Sequence, residues 1–315
     1  MSETYGVCLS GDTEVINAID GTKHIMAEMG EYKDEFYVHG VDENLKPTTA
    51  RVTKWMSNGI RTTYKISLSN GMQIRATDNH QFLTEYGWKR LDELSENDCI
   101  AVPKIMESAI SSSFNLDKLR VIAYLIGDGS ISIKSDIDFI NKDQVVLDEY
   151  KRALKIFTDV RVAERLQIRD VTRISARSID GRYETSLLKL LKEIGLKGSY
   201  EDGGCRSENK FVPSFIFSLE DSEICFFLAS LWDCDGHVNE AGASKKNVSY
   251  KTISYQLAID IHSLLTRLGI FSRVHNLGNY ETQSGTQTAY QVNVLDVGKF
   301  YTYISPHMAS FKGSI

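Results

Sequence analysis

Two stretches of the chain repeat one hydrophobic pattern. Val121 to Gly129 (VIAYLIGDG) and Leu228 to Gly236 (LASLWDCDG) are apolar runs that close on Asp-Gly, and they align without a gap. Each predicts a short buried helix stopped by glycine, with Gly129 and Gly236 expected in a left-handed C-terminal position. Superposing the runs pairs Ala123 with Ser230 and Gly127 with Cys234. Small residues therefore recur four apart on one face of each helix, where two backbones could approach closely. After the first run come a polar strand-like segment, an amphipathic helix near Gln144–Phe157, a β-rich stretch from Arg161 to Ala176 and a helix near Ser186–Ile194. After the second come Val248–Ser254, a helix near Tyr255–Leu268, a β-rich stretch from Ser272 to Leu295 and a last helix near Val297–Ile304. The order repeats, which predicts a duplicated α+β domain over residues 105–315, with copies at about 115–205 and about 218–315.

The first 104 residues have a different rhythm. Short strand-like runs are split by Ser10-Gly11-Asp12, Asp20-Gly21, Ser57-Asn58-Gly59 and Ser69-Asn70-Gly71, with little helical periodicity, so an all-β domain is expected over residues 8–104. Composition agrees with a folded protein of two domains: 315 residues, 42% hydrophobic and 25% charged. No membrane span and no secretory leader are visible, and five Cys without paired spacing argue against a disulfide framework. A reducing, cytoplasmic setting is expected. Cys225 and Cys234 are expected to pack on or near the second run, and Cys99 to line a β core.

The net charge of −6 divides unevenly. Residues 1–104 hold 11 Lys+Arg against 16 Asp+Glu, or −5, leaving −1 for the remainder. A nucleic-acid partner would then need basic side chains gathered on one surface. Arg161, Arg165, Arg169 and Arg173 in the first copy, with Lys245, Lys246 and Arg273 in the second, are the candidates.

Packing the two helices side by side around a pseudo-two-fold axis would bring Asp128 and Asp235 together, which like charges resist unless a cation lies between them. Paired carboxylates of this kind are a usual ligand set for Mg2+ in phosphodiester hydrolysis. At these residues the sequence resembles the LAGLIDADG homing endonucleases. The resemblance implies a duplicated αββαββα unit, two saddle-shaped sheets along the major groove of double-stranded DNA, and Mg2+-dependent cleavage at Asp128 and Asp235. It also implies active-site roles for Lys210 (in KFVP) and Lys251 (in YKTIS), where a cation could stabilise developing negative charge. An insert that only binds DNA or supports the fold, and a non-enzymatic regulator or RNA maturase on the same scaffold, are the competing readings.

In the β-rich part, chemistry gathers at Cys8, followed by LSGDTEV, and at Thr77-Asp78-Asn79-His80. A thiol, a hydroxyl and an imidazole could together attack and polarise a peptide carbonyl, although such residues are commonly structural. The pattern as a whole resembles the N-terminal part of an intein with a Hint-type horseshoe fold: Cys8 matches its first residue, TDNH its Thr-x-x-His block, and EYGWKRLDELSENDCIAVPK the following hairpin. By that resemblance Cys8 performs the N–S acyl shift at the Val7–Cys8 bond, His80 protonates the departing nitrogen, and Thr77 holds the geometry. Residues 1–7 are then N-extein of a host protein, or a remnant replacing it. The chain ends ASFKGSI, without the His-Asn that closes a complete intein, so a complementary C-terminal intein fragment is the expected partner for splicing in trans.

Overall fold

A computed structural model describes residues 7–32, 34–106, 112–131, 136–167, 170–181, 184–197, 205–238, 247–282 and 285–310. The chain divides into two compact units, Met1–Ser111 and Ser112–Ile315.

The first unit is a set of antiparallel two-stranded ladders: β1 (Glu14–Ile16) with β2 (Lys23–Ile25), β3 (Tyr37–Val41) with β4 (Pro47–Arg51), β5 (Tyr64–Ser67) with β6 (Gln73–Ala76), and β7 (Gln81–Thr84) with β8 (Gly87–Arg90). Turn chemistry sets their register. Between β5 and β6, Asn70 Oδ1 accepts the Met72 N–H at 3.1 Å, and Gly71 sits at φ +89°, a conformation glycine adopts without a Cβ penalty. Two isolated bridges, Leu9 to Ala76 and Thr84 to Ile100, tie the ladders together. The core is small: Ala18, Met29, Phe36 and Ala76, with Tyr32 and Trp55 meeting Phe36 edge-on. Cys99, expected to line a β core, is exposed; it lies in the turn between β8 and the Ile100 bridge, where its side chain meets solvent.

The second unit contains the duplication. α1 (Leu116–Asp128), β9 (Gly129–Ser130), β10 (Ile137–Asn141), α2 (Gln144–Leu154), β11 (Val160–Leu166), β12 (Thr172–Ser178) and α3 (Ser186–Glu193) form the first αββαββα copy. α4 (Asp221–Asp235), β13 (Gly236–Val238), β14 (Val248–Thr252), α5 (Tyr255–Arg267), β15 (Ser272–Thr282), β16 (Gly285–Val294) and α6 (Val297–Lys299), prolonged by a wider turn over Phe300–Ile304, form the second. The sheets run β11-β12-β10-β9 and β15-β16-β14-β13, so both copies place their strands in the same order. Helix starts follow the sequence: Asn115, Asp143, Thr185 and Ser254 each accept a backbone N–H in the first turn of α1, α2, α3 and α5. Each sheet packs its apolar face on its own helices. Tyr124 of α1 stacks on Phe139 at 5.3 Å in the first copy, and Trp232 of α4 lies 5.3 Å from Tyr250 and 5.1 Å from Phe300 in the second.

Gly129 and Gly236 do end the helices, but not in the left-handed conformation expected of them. Their φ angles are −80° and −77°, which is extended backbone. What requires glycine is space: a Cβ at Gly129 would lie 2.2 Å from the Leu125 carbonyl oxygen, and one at Gly236 would lie 2.4 Å from Trp232 Cδ1. Each chain turns straight from helix into the first strand of its sheet, and a side chain would collide with the turn it has just left. No helix among the described residues is long and apolar enough to cross a membrane.

His262 on α5 is buried, with Nδ1 2.7 Å from Ser272 Oγ, and desolvation pushes its pKa down to about 4. The fold therefore favours the neutral ring. Stability from this group is complete above the unfolded value near 6.5 and is lost as pH falls towards 4, by about 3 kcal/mol over that interval. Urea unfolding of wild type and His262→Gln across this range is expected to show the slope in wild type and its loss in the variant.

Candidate functional sites

The second unit's site is built at the point where α1 and α4 end side by side. Gly127 makes the approach possible: a Cβ there would lie 2.5 Å from Cys234 Cβ and 2.8 Å from its Sγ. The small-residue register read from the sequence is thus the contact itself, and it sets the two C-terminal aspartates next to one another. Asp128 is pushed up to about 6, first by desolvation and then by the Asp235 charge. Asp235 is also raised by burial, with Lys210 opposing the shift. Asn141, the last residue of β10, donates from Nδ2 to Asp128 Oδ2 at 2.7 Å, and its own Oδ1 is held by the Asp143 N–H at 2.8 Å.

Lys210 is buried, and desolvation lowers its pKa against the pull of both aspartates. Its Nζ donates to the Gly127 carbonyl. α5 fixes the segment that delivers it: Ser254 Oγ donates to the Lys210 carbonyl, and Asp260 Oδ2 accepts the Val212 N–H at 2.8 Å. Lys251 is placed differently. It is exposed on β14, opposite Gln291 of β16, and no hydrogen bond or ion pair joins it to either aspartate among the described residues. The side chain aimed at the aspartates from β14 is its neighbour Tyr250, fully buried and raised well above its usual value by desolvation and then by Asp235, with an OH that has no hydrogen-bond partner.

Asp233, two residues before Asp235, belongs to a structural network. It accepts from the Tyr124 hydroxyl at 2.9 Å and from the Ala309 and Ser310 N–H groups at 3.0 and 3.1 Å, and so ties α1 to the segment after α6.

Of the basic candidates, Arg169, Lys245 and Lys246 lie outside the described residues. Arg161, Arg165 and Arg173 share one face of the first sheet with Arg177, which sequence reasoning missed. Arg161 stands directly opposite Arg177, and Arg165 opposite Arg173. Like charges directly opposed across a ladder are destabilising on their own. Asp136 and Asp138 neutralise the group in part, at 3.2 Å from Arg177 and 3.7 Å from Arg173. On the second sheet, Arg273 lies opposite Asn293, half-buried.

The first unit holds the other site. The Leu9 to Ala76 bridge lays the Cys8 strand beside the end of β6, where Thr77 brackets Cys8. The Cys8 N–H donates to Thr77 Oγ1 at 3.1 Å, and the Thr77 N–H donates to the Cys8 carbonyl at 3.0 Å. His80 belongs to the same turn, its N–H donating to the Thr77 carbonyl at 3.0 Å, while burial lowers its pKa and leaves ring Nδ1 without a hydrogen-bond partner. A neutral imidazole is thus held beside the Thr77–Cys8 clamp. Asn58, 50 residues from Cys8, donates from Nδ2 to Cys8 Sγ at 2.9 Å.

The chain matches the family described as intein splicing domain over residues 16–295, a span that begins after Cys8. It is 31% identical over 281 residues to the replicative DNA helicase DnaB of Rhodothermus marinus, covering 87% of this chain and 29% of that protein. Against the Synechocystis helicase DnaB it is 29% identical over 328 residues, with 96% and 37% covered. Against the RecA protein of Mycobacterium tuberculosis it is 27% identical over 275 residues, with 85% and 33% covered. The chain thus spans about a third of the length of these relatives. Among solved structures, a DnaB intein from Synechocystis is 34% identical over 31% of this chain and 70% of that one, at a TM-score of 0.30. I-DmoI in complex with DNA and Mn is 14% identical over 61% and 98%, at a TM-score of 0.39.

Proposed function

Because the chain belongs to the intein splicing domain family, we propose that its first unit makes a thioester at Cys8 and that its second unit is an embedded, site-specific DNA endonuclease. The observation that carries the splicing reading is the double hydrogen bond by which Thr77 holds the Cys8 N–H and carbonyl. In the acyl shift, Cys8 Sγ bonds to the Val7 carbonyl carbon, the Val7–Cys8 C–N bond breaks, and the thiol proton ends on the Cys8 nitrogen. A neutral imidazole at His80 suits that transfer, since it can take a proton at one nitrogen and deliver one from the other. The same stretch matches a third of two proteins with unrelated names, DnaB and RecA, as a portable insert would.

The ladders of the first unit carry open edges, and Tyr64 on β5 and Trp88 on β8 are exposed, as are Met56, Ile60 and Tyr86 in the connecting segments. A complementary C-terminal intein fragment would add strands to those edges and cover these side chains, which makes splicing in trans to a host extein the natural completion. A Cys8 side chain held in no disulfide suits a reducing, cytoplasmic compartment.

For the endonuclease, the hard oxygen donors of Asp128 and Asp235 fit Mg2+, which takes one or two carboxylates together with substrate phosphates and water. Asp128 is half-buried and Asp235 is exposed at its helix end, yet both have raised pKa values and Asp128 feels the Asp235 charge, a like-charge pair that a divalent cation would relieve. Bound there, the ion would activate water and stabilise the leaving oxygen in phosphodiester hydrolysis. Asn141 orients Asp128, and Lys210 supplies fixed positive charge beside both acids. Arg161, Arg165, Arg173 and Arg177 on one sheet and Arg273 on the other would meet the phosphates of double-stranded DNA, which explains why arginines are set opposite one another.

Dithiothreitol treatment of the protein carrying a peptide before Cys8, read by intact mass, is expected to release everything up to Val7, and Cys8→Ala to abolish release. Wild type that stays uncleaved would remove the splicing reading.

A further inference from the structure

The Ser57-Asn58-Gly59 turn does more than reverse the chain. Gly59 sits at φ +68°, in the left-handed region, and Arg61 Nε donates to the Asn58 carbonyl at 3.2 Å, so the backbone that presents Asn58 is fixed from both sides. The side chain reaches across 50 residues of sequence to place Nδ2 2.9 Å from Cys8 Sγ. A neutral thiol is only a weak acceptor, whereas a thiolate would accept the same N–H as a stronger, charge-assisted hydrogen bond. Thr77 holds the Cys8 main chain on one side, and Asn58 meets its side chain.

We propose that Asn58 is a positioning residue for the Cys8 nucleophile, holding Sγ and stabilising the thiolate that attacks the Val7 carbonyl. The inference rests on the thioester reading above for its role, though the contact itself does not. As the thiol proton leaves, the N–H from Asn58 gains strength, so the interaction grows just when sulfur becomes nucleophilic. The S–C bond then forms and the C–N bond breaks, with the proton passing to the Cys8 nitrogen. The donation to sulfur fades as the negative charge passes from sulfur to the Val7 carbonyl oxygen in the tetrahedral intermediate, which collapses to a neutral thioester as the nitrogen leaves protonated.

The test compares wild type, Asn58→Ala and Asn58→Asp, the last keeping shape and turn propensity while lacking an N–H donor. Far-UV circular dichroism checks the fold. The first readout is the rate of iodoacetamide modification of Cys8 from pH 6 to 10, followed on the Cys8 peptide so that the other four cysteines do not interfere. Loss of the donor is expected to slow it about tenfold at pH 7. The second readout is dithiothreitol-induced cleavage after Val7, expected to fall in parallel. Folded variants with both rates within about twofold of wild type would overturn the proposal. If alkylation slows as expected but wild type itself shows no cleavage, the thioester reading fails while the contact between Asn58 and Cys8 stands.

Discussion

Replacing Gly127 by leucine is expected to unfold the second unit, or to destabilise it by about 3 kcal/mol or more. The first added carbon would already fall 2.5 Å from Cys234 Cβ and 2.8 Å from its Sγ, inside the contact where α1 and α4 run side by side. Neither atom is the far end of a flexible chain. Both belong to a short side chain rooted in a buried helix, so the helices themselves would have to part. Separation would take Asp128 away from Asp235, and any divalent-ion affinity would go with it. Gly127→Ala alone should show a smaller version of the same loss. Combining it with Cys234→Gly exchanges the small residue between the helices and should recover most of the stability, since the helical glycine removed from α1 is replaced by one in α4 and the two propensity effects largely cancel. Thermal and urea unfolding of the two single variants and the double variant measure the coupling directly.

Asp128→Asn should do two opposite things. DNA cleavage is expected to fall by at least about 1,000-fold, because an amide cannot replace the carboxylate charge that binds and orients the metal ion. The metal-free fold should become more stable at pH 7. Asp128 has a folded pKa raised to about 6 by burial and by Asp235, so its stabilising protonated form is complete below the unfolded value near 4 and is lost as pH rises through 6. At pH 7 the charged form costs about 3 kcal/mol, which asparagine removes. The difference between wild type and variant should therefore vanish near pH 3.5 and grow to its full size by pH 7. Adding Mg2+ should raise the wild-type melting temperature and leave the variant unmoved. The paired-aspartate site is thus a place where stability is given up for charge.

Much of this was legible in the sequence. The repeated order of elements after each Asp-Gly was legible from periodicity, its αββαββα form from the family resemblance, and the Gly127 to Cys234 contact from small residues four apart. Lys210 was visible only through its family pattern, since a lysine in a loop carries no sign of the burial that α5 imposes through Ser254 and Asp260. Lys251 was given an active-site role by the family pattern; strand alternation leaves it exposed on the opposite face of β14 from Tyr250, which is the side chain buried there. Arg177 escaped notice because nothing along the chain says that it faces Arg161 across a ladder. Gly129 and Gly236 were correctly seen as helix ends for a mistaken reason: conformation is ordinary there, and what forbids a side chain is the turn just completed. Asn58 was read as a turn former, which it is, but its hydrogen bond to Cys8 arises from chain segments 50 residues apart and leaves no local trace.

On the proposed function, each unit holds a chemistry of its own. The most direct test is a crossed assay on two proteins, Cys8→Ala and Asp128→Asn with Asp235→Asn, each measured for thiol-induced cleavage after Val7 and for Mg2+-dependent cleavage of a randomised duplex library from which wild type selects a site. The first protein is expected to lose only peptide cleavage and the second only DNA cleavage. Aspartate-free protein that still cuts the selected site, or Cys8→Ala protein that still releases the peptide, would contradict it.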